Sequence, residues 1–235
     1  MRKIHFQNNY LKHPAGSCLI SQGNTRVLCA VFIEEKVPRF LEGTEKGWLT
    51  AEYAMLPGST PGGRKQREWQ KKDGRSAEIQ RLIGRSLRSV IDLDKTGPIS
   101  LVVDCDVIEA DGGTRCASIT GSWVALYQAL EKLAEKQGQS GPDYYLKGQV
   151  AAISVGIIKG QIHIDLDYIL DSQADVDMNV IMLDSQLVEI QGTGEKTLFS
   201  REQLNQMLDQ AETAIKEIYK AQVNSLKNEK TSRLY

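Results

Sequence analysis

In the stretch IEADGGTRCASITGSW, Ile108 to Trp123, a strand-like run passes through Gly112-Gly113 into a helix of small and apolar residues. No other feature limits the fold as much, because it commits the chain to strands and helices joined directly within one unit. The strand is read from PISLVVDCDVIEA, whose start is almost continuously apolar. The helix is expected from about Thr114 towards Lys136, stopping near Gly138, a residue type common just past a helix end.

The rest of the chain changes period in the same way. GSCLISQGNTRVLCAVFIEE reads as two strands joined at Gln22-Gly23-Asn24, and LTAEYAMLP begins as a strand before a loop rich in Gly, Pro and basic residues. SAEIQRLIGRSLRSVIDLD puts Ile79, Leu82, Ile83, Leu87 and Val90 on one helical face, with Ser76 as its N-cap. VAAISVGIIKGQIHIDLDY and DVDMNVIMLDSQLVEIQG read as hairpins turning at Lys159-Gly160 and Asp184-Ser185. The last helix opens on a capping box, Ser200 to Gln203, and carries Leu204, Met207, Leu208, Ala211, Ile215 and Ile218 on its apolar face. No linker or shift of composition divides the chain. Positions 1–235 are therefore expected to form one α+β domain built on a mixed sheet. Both halves run strands and then a long helix, which suits an internal duplication.

Composition excludes several classes. Lys and Arg number 29 against 30 Asp and Glu, so any nucleic-acid or membrane signal must be local. With 41% hydrophobic and 25% charged residues, no spanning apolar run and no signal-peptide pattern, the expected setting is the cytoplasm, without a membrane partner. The four cysteines, Cys18, Cys29, Cys105 and Cys116, form no C-x-x-C pair and read as small buried hydrophobes rather than a zinc site. The three histidines sit beside no candidate nucleophile, which argues against triad chemistry.

Four local patterns remain. A helix N-terminus presents unpaired N–H groups and a partial positive charge, so Gly112, Gly113, Thr114 and Arg115 can be an anion cradle: backbone that approaches closely, a hydroxyl donor and a guanidinium fork. They can equally be a tight turn with an exposed arginine. QGTGEKTLF fails the phosphate-loop pattern, since Glu195 separates Gly194 from Lys196, and reads as a turn before the last helix. IDLDYILDSQADVDMNV holds Asp165, Asp167, Asp171, Asp175 and Asp177. Asp177 shares a strand face with Asn179 and Ile181, and Asp171 lies in a loop that could fold back beside it. Two such carboxylates without histidine or cysteine suit Mg²⁺; a solvated acidic turn is the alternative. Finally, GGRKQREWQKKDGR concentrates Arg64, Lys65, Arg67, Lys71, Lys72 and Arg75 around Trp69, which suits either a polyanion contact or a solvated loop.

Taken together, KGWLTAEYAMLP, GRSAEIQRLIGRSLR, DCDVIEADGGTRCASITG, VAAISVG, DMNVIM and EIQGTGE resemble the RNase PH family of phosphorolytic ribonucleases, from Ile4 to about Ala221. The resemblance implies an α+β fold of RNase PH type, with mixed β-sheets packed with helices and an internal pseudo-repeat. It implies a hexameric ring built as a trimer of dimers. The implied activity is phosphate-dependent trimming of RNA 3′ ends, those of tRNA precursors above all and also rRNA, in the 3′-to-5′ direction. Nucleoside 5′-diphosphates are released, and the reaction reverses as nucleotide addition.

On this resemblance inorganic phosphate, the co-substrate, is held by Arg75, Gly113, Thr114 and Arg115, and Asp171 and Asp177 are the catalytic, Mg²⁺- or Mn²⁺-holding carboxylates. Arg64, Lys65 and Arg67 are expected to contact RNA. Relatives carry a segment with an Arg-x-Asp-Gly-Arg pattern ahead of the point where this sequence starts. They have a glutamate where Leu170 stands, and an arginine where Gly58 stands. Two alternative activities are an inactive RNA-binding ring subunit and a hydrolytic metal-dependent nuclease.

Overall fold

The computed structural model describes residues 1–66 and 74–232. Five strands form the first sheet: β1 (Ile4–Asn8), β2 (Gly16–Gln22), β3 (Thr25–Glu34), β4 (Trp48–Met55) and β5 (Ser100–Glu109), in the order β1-β2-β3-β5-β4. All neighbours are antiparallel except β4 and β5, which are parallel and joined through helix α1 (Gly74–Val90). Helix α2 (Thr114–Gln137) follows β5 and ends at Gly138, whose left-handed backbone places its N–H on the last carbonyls. The second sheet holds β6 (Val150–Ile158), β7 (Gln161–Ile164), β8 (Val176–Leu183) and β9 (Gln186–Gly194), all antiparallel in the order β7-β6-β8-β9. A short helix α3 (Tyr168–Gln173) joins β7 to β8, and α4 (Arg201–Ser232) ends the described chain. The mixed sheet read from periodicity is two sheets, as the plural sheets implied by the resemblance require, because an apolar period marks a strand without saying which sheet it joins.

Helix α2 lies between the sheets. One core joins α1, α2 and the first sheet and also takes in Val150, Ala152 and Ile181 from the second. A separate core packs Ala151, Ile153, Val155, Met178 and Val180 against Met207, Ala211, Ile215 and Ile218 of α4. Strand β6 is therefore covered on both faces and buried throughout, which is why its sequence is continuously apolar rather than alternating. Strand β8 alternates as read: Met178 and Val180 face α4, while Ile181 faces the α2 side.

The capping box forms as expected. The Ser200 N–H donates to Gln203 Oε1 at 2.8 Å, and the Gln203 N–H donates to Ser200 Oγ at 3.1 Å. Ser76 does not cap α1, because the helix already runs from Gly74 and Ser76 is a buried residue of its first turn. The four cysteines are buried and none is in a disulfide. Each half pairs strands with a long helix, α2 in the first and α4 in the second, the loose repetition that the sequence shows.

Candidate active site

Between β5 and α2 the chain turns within four residues, Ala110 to Gly113. Gly112 and Gly113 both take left-handed backbone, φ 74° and 67°, which side chains other than glycine strain to adopt. Gly113 stands at the N-cap of α2 without a capping side chain, so the N–H groups of the first turn are left for a ligand. Gly112 serves a different purpose from the expected close approach to an anion. A Cβ there would overlap the Leu166 carbonyl oxygen and the Asp167 backbone, so the space is filled by the protein's own chain.

The turn is tied down from several directions. Thr25 Oγ1 donates to the Gly112 carbonyl at 2.6 Å and accepts from the Asp111 N–H at 2.9 Å. Arg2 Nη1 donates to the Asp111 carbonyl at 2.5 Å, and the Tyr168 N–H donates to Asp111 Oδ1 at 3.2 Å.

The five aspartates of the acidic segment divide into distinct tasks. The Asp165 side chain is 1% exposed, accepts from the Arg2 N–H and Arg2 Nη2 at 2.6 Å each, and accepts from Gln22 Nε2 at 2.7 Å. It thus holds the arginine that holds the turn. Asp167 caps α3 by accepting from the Leu170 N–H at 2.8 Å, and Asp175 accepts from the Lys159 N–H at 2.8 Å. Asp171 lies on α3, not in the loop expected, because that cap nucleates a short helix from Tyr168 to Gln173. Only Asp171 and Asp177 face the cleft.

That cleft, of about 300 Å³, unites Arg75, Gly113, Thr114 and Arg115 with Asp171 and Asp177. It draws on both sheets and on the N-terminal ends of α1 and α2. Register explains the meeting: Asp177 pairs with Gly156 and Asn179 with Ser154, and Asn179 Oδ1 accepts from Cys116 Sγ of α2 at 3.1 Å. Lys65 lines the mouth, Arg64 is exposed beside it, and Arg67 lies outside the described residues, as do Trp69, Lys71 and Lys72. A Cβ at Gly58 would meet nothing within 4 Å, so the position is open at the first side-chain carbon.

Electrostatics separates the two carboxylates from their neighbours. Burial pushes Asp177 up to about 6, and the Asp171 charge adds to this while Arg115 and a hydrogen bond from the Met178 backbone work against it. Asp171 is also raised, first by burial, with Arg75 and Arg115 opposing. Two crowded carboxylates in a partly buried cleft, beside positive side chains that only partly offset them, fit a hard divalent cation. Among the described residues no group of three or more His, Cys, Asp or Glu side chains is arranged around a metal site, so the remaining ligands of such an ion would be water and substrate oxygens.

Sequence reasoning missed two further neighbours. Thr114 is buried, and its Oγ1 lies 2.9 Å from Tyr53 Oη of β4, so the cradle hydroxyl is oriented by a buried phenol. Burial raises the Tyr53 pKa, which keeps it protonated. Tyr168, 56% exposed, lines the cleft one helical turn from Asp171. The alternation of β4 marks Tyr53 as inward-facing, but nothing in the sequence pairs it with position 114.

A two-sheet α+β fold with a cleft between its sheets defines the class, and comparison with known proteins gives the family. The family model described as "3' exoribonuclease family, domain 1" (RNase_PH) matches residues 1–130, and that for domain 2 (RNase_PH_C) matches residues 148–214. The chain belongs to the 3′ exoribonuclease, or RNase PH, family. It is 53% identical over 230 residues to Ribonuclease PH of Bacillus cereus strain B4264, covering 96% of this chain and 93% of that protein, and equally similar to Ribonuclease PH of Bacillus anthracis strain A0248. Among solved structures, rice Rrp46 superposes with a TM-score of 0.77 at 19% identity, covering 96% of this chain and 95% of the other. A chain of the Archaeoglobus fulgidus exosome with RNA bound to the active site superposes with 0.78 at 20% identity, covering 93% and 87%. These two likenesses carry the fold. Among the described residues no helix is long and apolar enough to cross a membrane.

Proposed function

We propose that the cleft is where inorganic phosphate removes the terminal nucleotide from RNA, the whole chain acting as a single catalytic domain. The chain is a phosphate-dependent 3′-to-5′ exoribonuclease. The observation that carries the site assignment is the meeting of Arg75, Thr114 and Arg115 with Asp171 and Asp177 in one cleft.

The chemistry follows from the groups present. Phosphate sits at the free N–H groups of the α2 N-terminus, against the Thr114 hydroxyl and between the Arg75 and Arg115 guanidiniums, which orient it and offset its charge. One phosphate oxygen attacks the terminal phosphodiester phosphorus in line, and the bond from that phosphorus to the 3′ oxygen of the penultimate ribose breaks. The proton carried in by phosphate ends on the released 3′ hydroxyl. The products are a nucleoside 5′-diphosphate and RNA one residue shorter, and the reverse reaction adds a nucleotide. Asp171 and Asp177 would hold Mg²⁺ or Mn²⁺, which when bound there neutralises charge on the leaving oxygen. Since phosphate is itself the nucleophile, no base has to activate water, and among the described residues no histidine lines the cleft.

Lys65 at the mouth, with Arg64 and Arg67, would grip the RNA backbone without reading sequence. The substrates would be tRNA precursor and rRNA 3′ ends in the cytoplasm. The assembly would be a homo-oligomer, a hexamer formed as a trimer of dimers, in line with the family and with the exosome likeness.

Arg115→Ala tests the cradle. The lost contact is worth about 2–4 kcal/mol in the transition state, so phosphorolysis falls by about a hundredfold, mostly through poorer use of phosphate. Near wild-type rates at limiting phosphate would show that the anion binds elsewhere.

A further inference from the structure

Behind Arg115 runs a chain of hydrogen bonds that starts on α1 and crosses β9. Arg85 Nε and Nη2 donate to Glu189 Oε2 and Oε1 at 2.9 and 2.6 Å, a forked pair that fixes the carboxylate plane. Gln191 Nε2 donates to Glu189 Oε1 at 3.1 Å. That bond sets the amide's direction, because only its nitrogen can donate to the carboxylate. The amide oxygen is thereby turned to Arg115, whose Nη1 donates to Gln191 Oε1 at 3.2 Å. Glu189 and Gln191 are two apart on one strand and share a face, so a single edge of the second sheet reaches across to the N-terminus of α2. None of Arg85, Glu189 and Gln191 lines the cleft.

We infer that Gln191 is a positioning residue for phosphate use, holding the Arg115 guanidinium aimed into the cleft, with Glu189 and Arg85 fixing the amide. The inference rests on the reading of Arg115 as a phosphate ligand.

A neutral amide suits the task. A carboxylate at position 191 would satisfy the Arg115 charge and compete with phosphate, and it would stand beside Glu189. An apolar side chain would leave a long arginine free to sample rotamers that miss the anion. Glu78, 3.5 Å from Arg115 Nη1, makes only a half-exposed and solvated contact, one that an arriving anion displaces at little cost.

The test is steady-state phosphorolysis of a short oligoribonucleotide, with phosphate and RNA varied independently. Gln191→Leu raises the phosphate KM by about tenfold while kcat stays within about threefold, since the guanidinium is misaimed rather than removed. The RNA KM and the melting temperature do not move. Glu189→Gln, which leaves residue 191 untouched, gives a smaller rise in the same constant. Gln191→Glu raises it further than Gln191→Leu, although it keeps the shape. Added to Arg115→Ala, Gln191→Leu costs nothing more.

A wild-type phosphate KM in Gln191→Leu, with Arg115→Ala crippled, would overturn the inference and leave the cradle standing. So would equal rises in the phosphate and RNA constants, or losses that add in the double variant. Wild-type phosphate use by Arg115→Ala would overturn the cradle, and the inference with it.

Discussion

Asp177→Asn leaves a folded protein whose phosphorolysis falls by about a thousandfold and does not recover as Mg²⁺ is raised. The substitution keeps size and shape, and the amide oxygen can still accept from the Met178 N–H that the carboxylate engages. On the proposed metal-holding role, what disappears is a ligand charge, and loss of charge stabilisation at the leaving oxygen would cost several kcal/mol, about 4 for a thousandfold change. The check is single-turnover phosphorolysis across a Mg²⁺ titration, with far-UV circular dichroism to confirm folding. Burial already disfavours the ionised form of this carboxyl, so the neutral variant should melt no lower than the parent. Loss of folding, or recovery of the rate with added metal, would make Asp177 a structural residue or a weak auxiliary one.

Asp165→Asn has its effect on stability. The Asp165 carboxylate is buried and answers the charge of Arg2, so its neutral replacement leaves a guanidinium that is mostly out of water without a counter-ion. Breaking such a pair costs about 3 kcal/mol or more. For a chain of this size the melting temperature should fall by about 6–12 °C. Asparagine isolates the charge, because Asp165 sits at φ 63°, a backbone state that asparagine tolerates and alanine does not. Activity should fall as well, since Arg2 also holds the carbonyl of Asp111 in the cradle turn. Thermal unfolding followed by circular dichroism decides it; a shift under 2 °C would mean that water or another group takes over the role of Asp165.

The contrast between these two aspartates shows what could be read from the chain. Five aspartates between positions 165 and 177 look alike in a linear sequence, and only two could be set apart there, by their place beside DMN in a familiar motif. What separates Asp165 from Asp171 is Arg2 and Gln22, more than 140 positions away and brought close by β2 and the N-terminal residues. Local chemistry was legible wherever the interaction partners are neighbours: the capping box from Ser200 to Gln203, the turns at Lys159-Gly160 and Asp184-Ser185, and the uncapped glycine start of α2. Long-range pairings were not. The Tyr53–Thr114, Arg85–Glu189 and Arg115–Gln191 contacts join residues 61, 104 and 76 positions apart by the same kind of partnership. QGTGEKTLF looked like a turn; instead Gln191 to Gly194 extend β9, and Gln191 carries the amide that meets Arg115.

Central to the account is that phosphate, not water, is the attacking group. An RNA with a defined 3′ end, incubated with the protein and Mg²⁺ with and without inorganic phosphate, tests this directly once the released mononucleotide is identified. Shortening should require phosphate and yield nucleoside 5′-diphosphate. Shortening without phosphate, with nucleoside monophosphate released, would contradict the account.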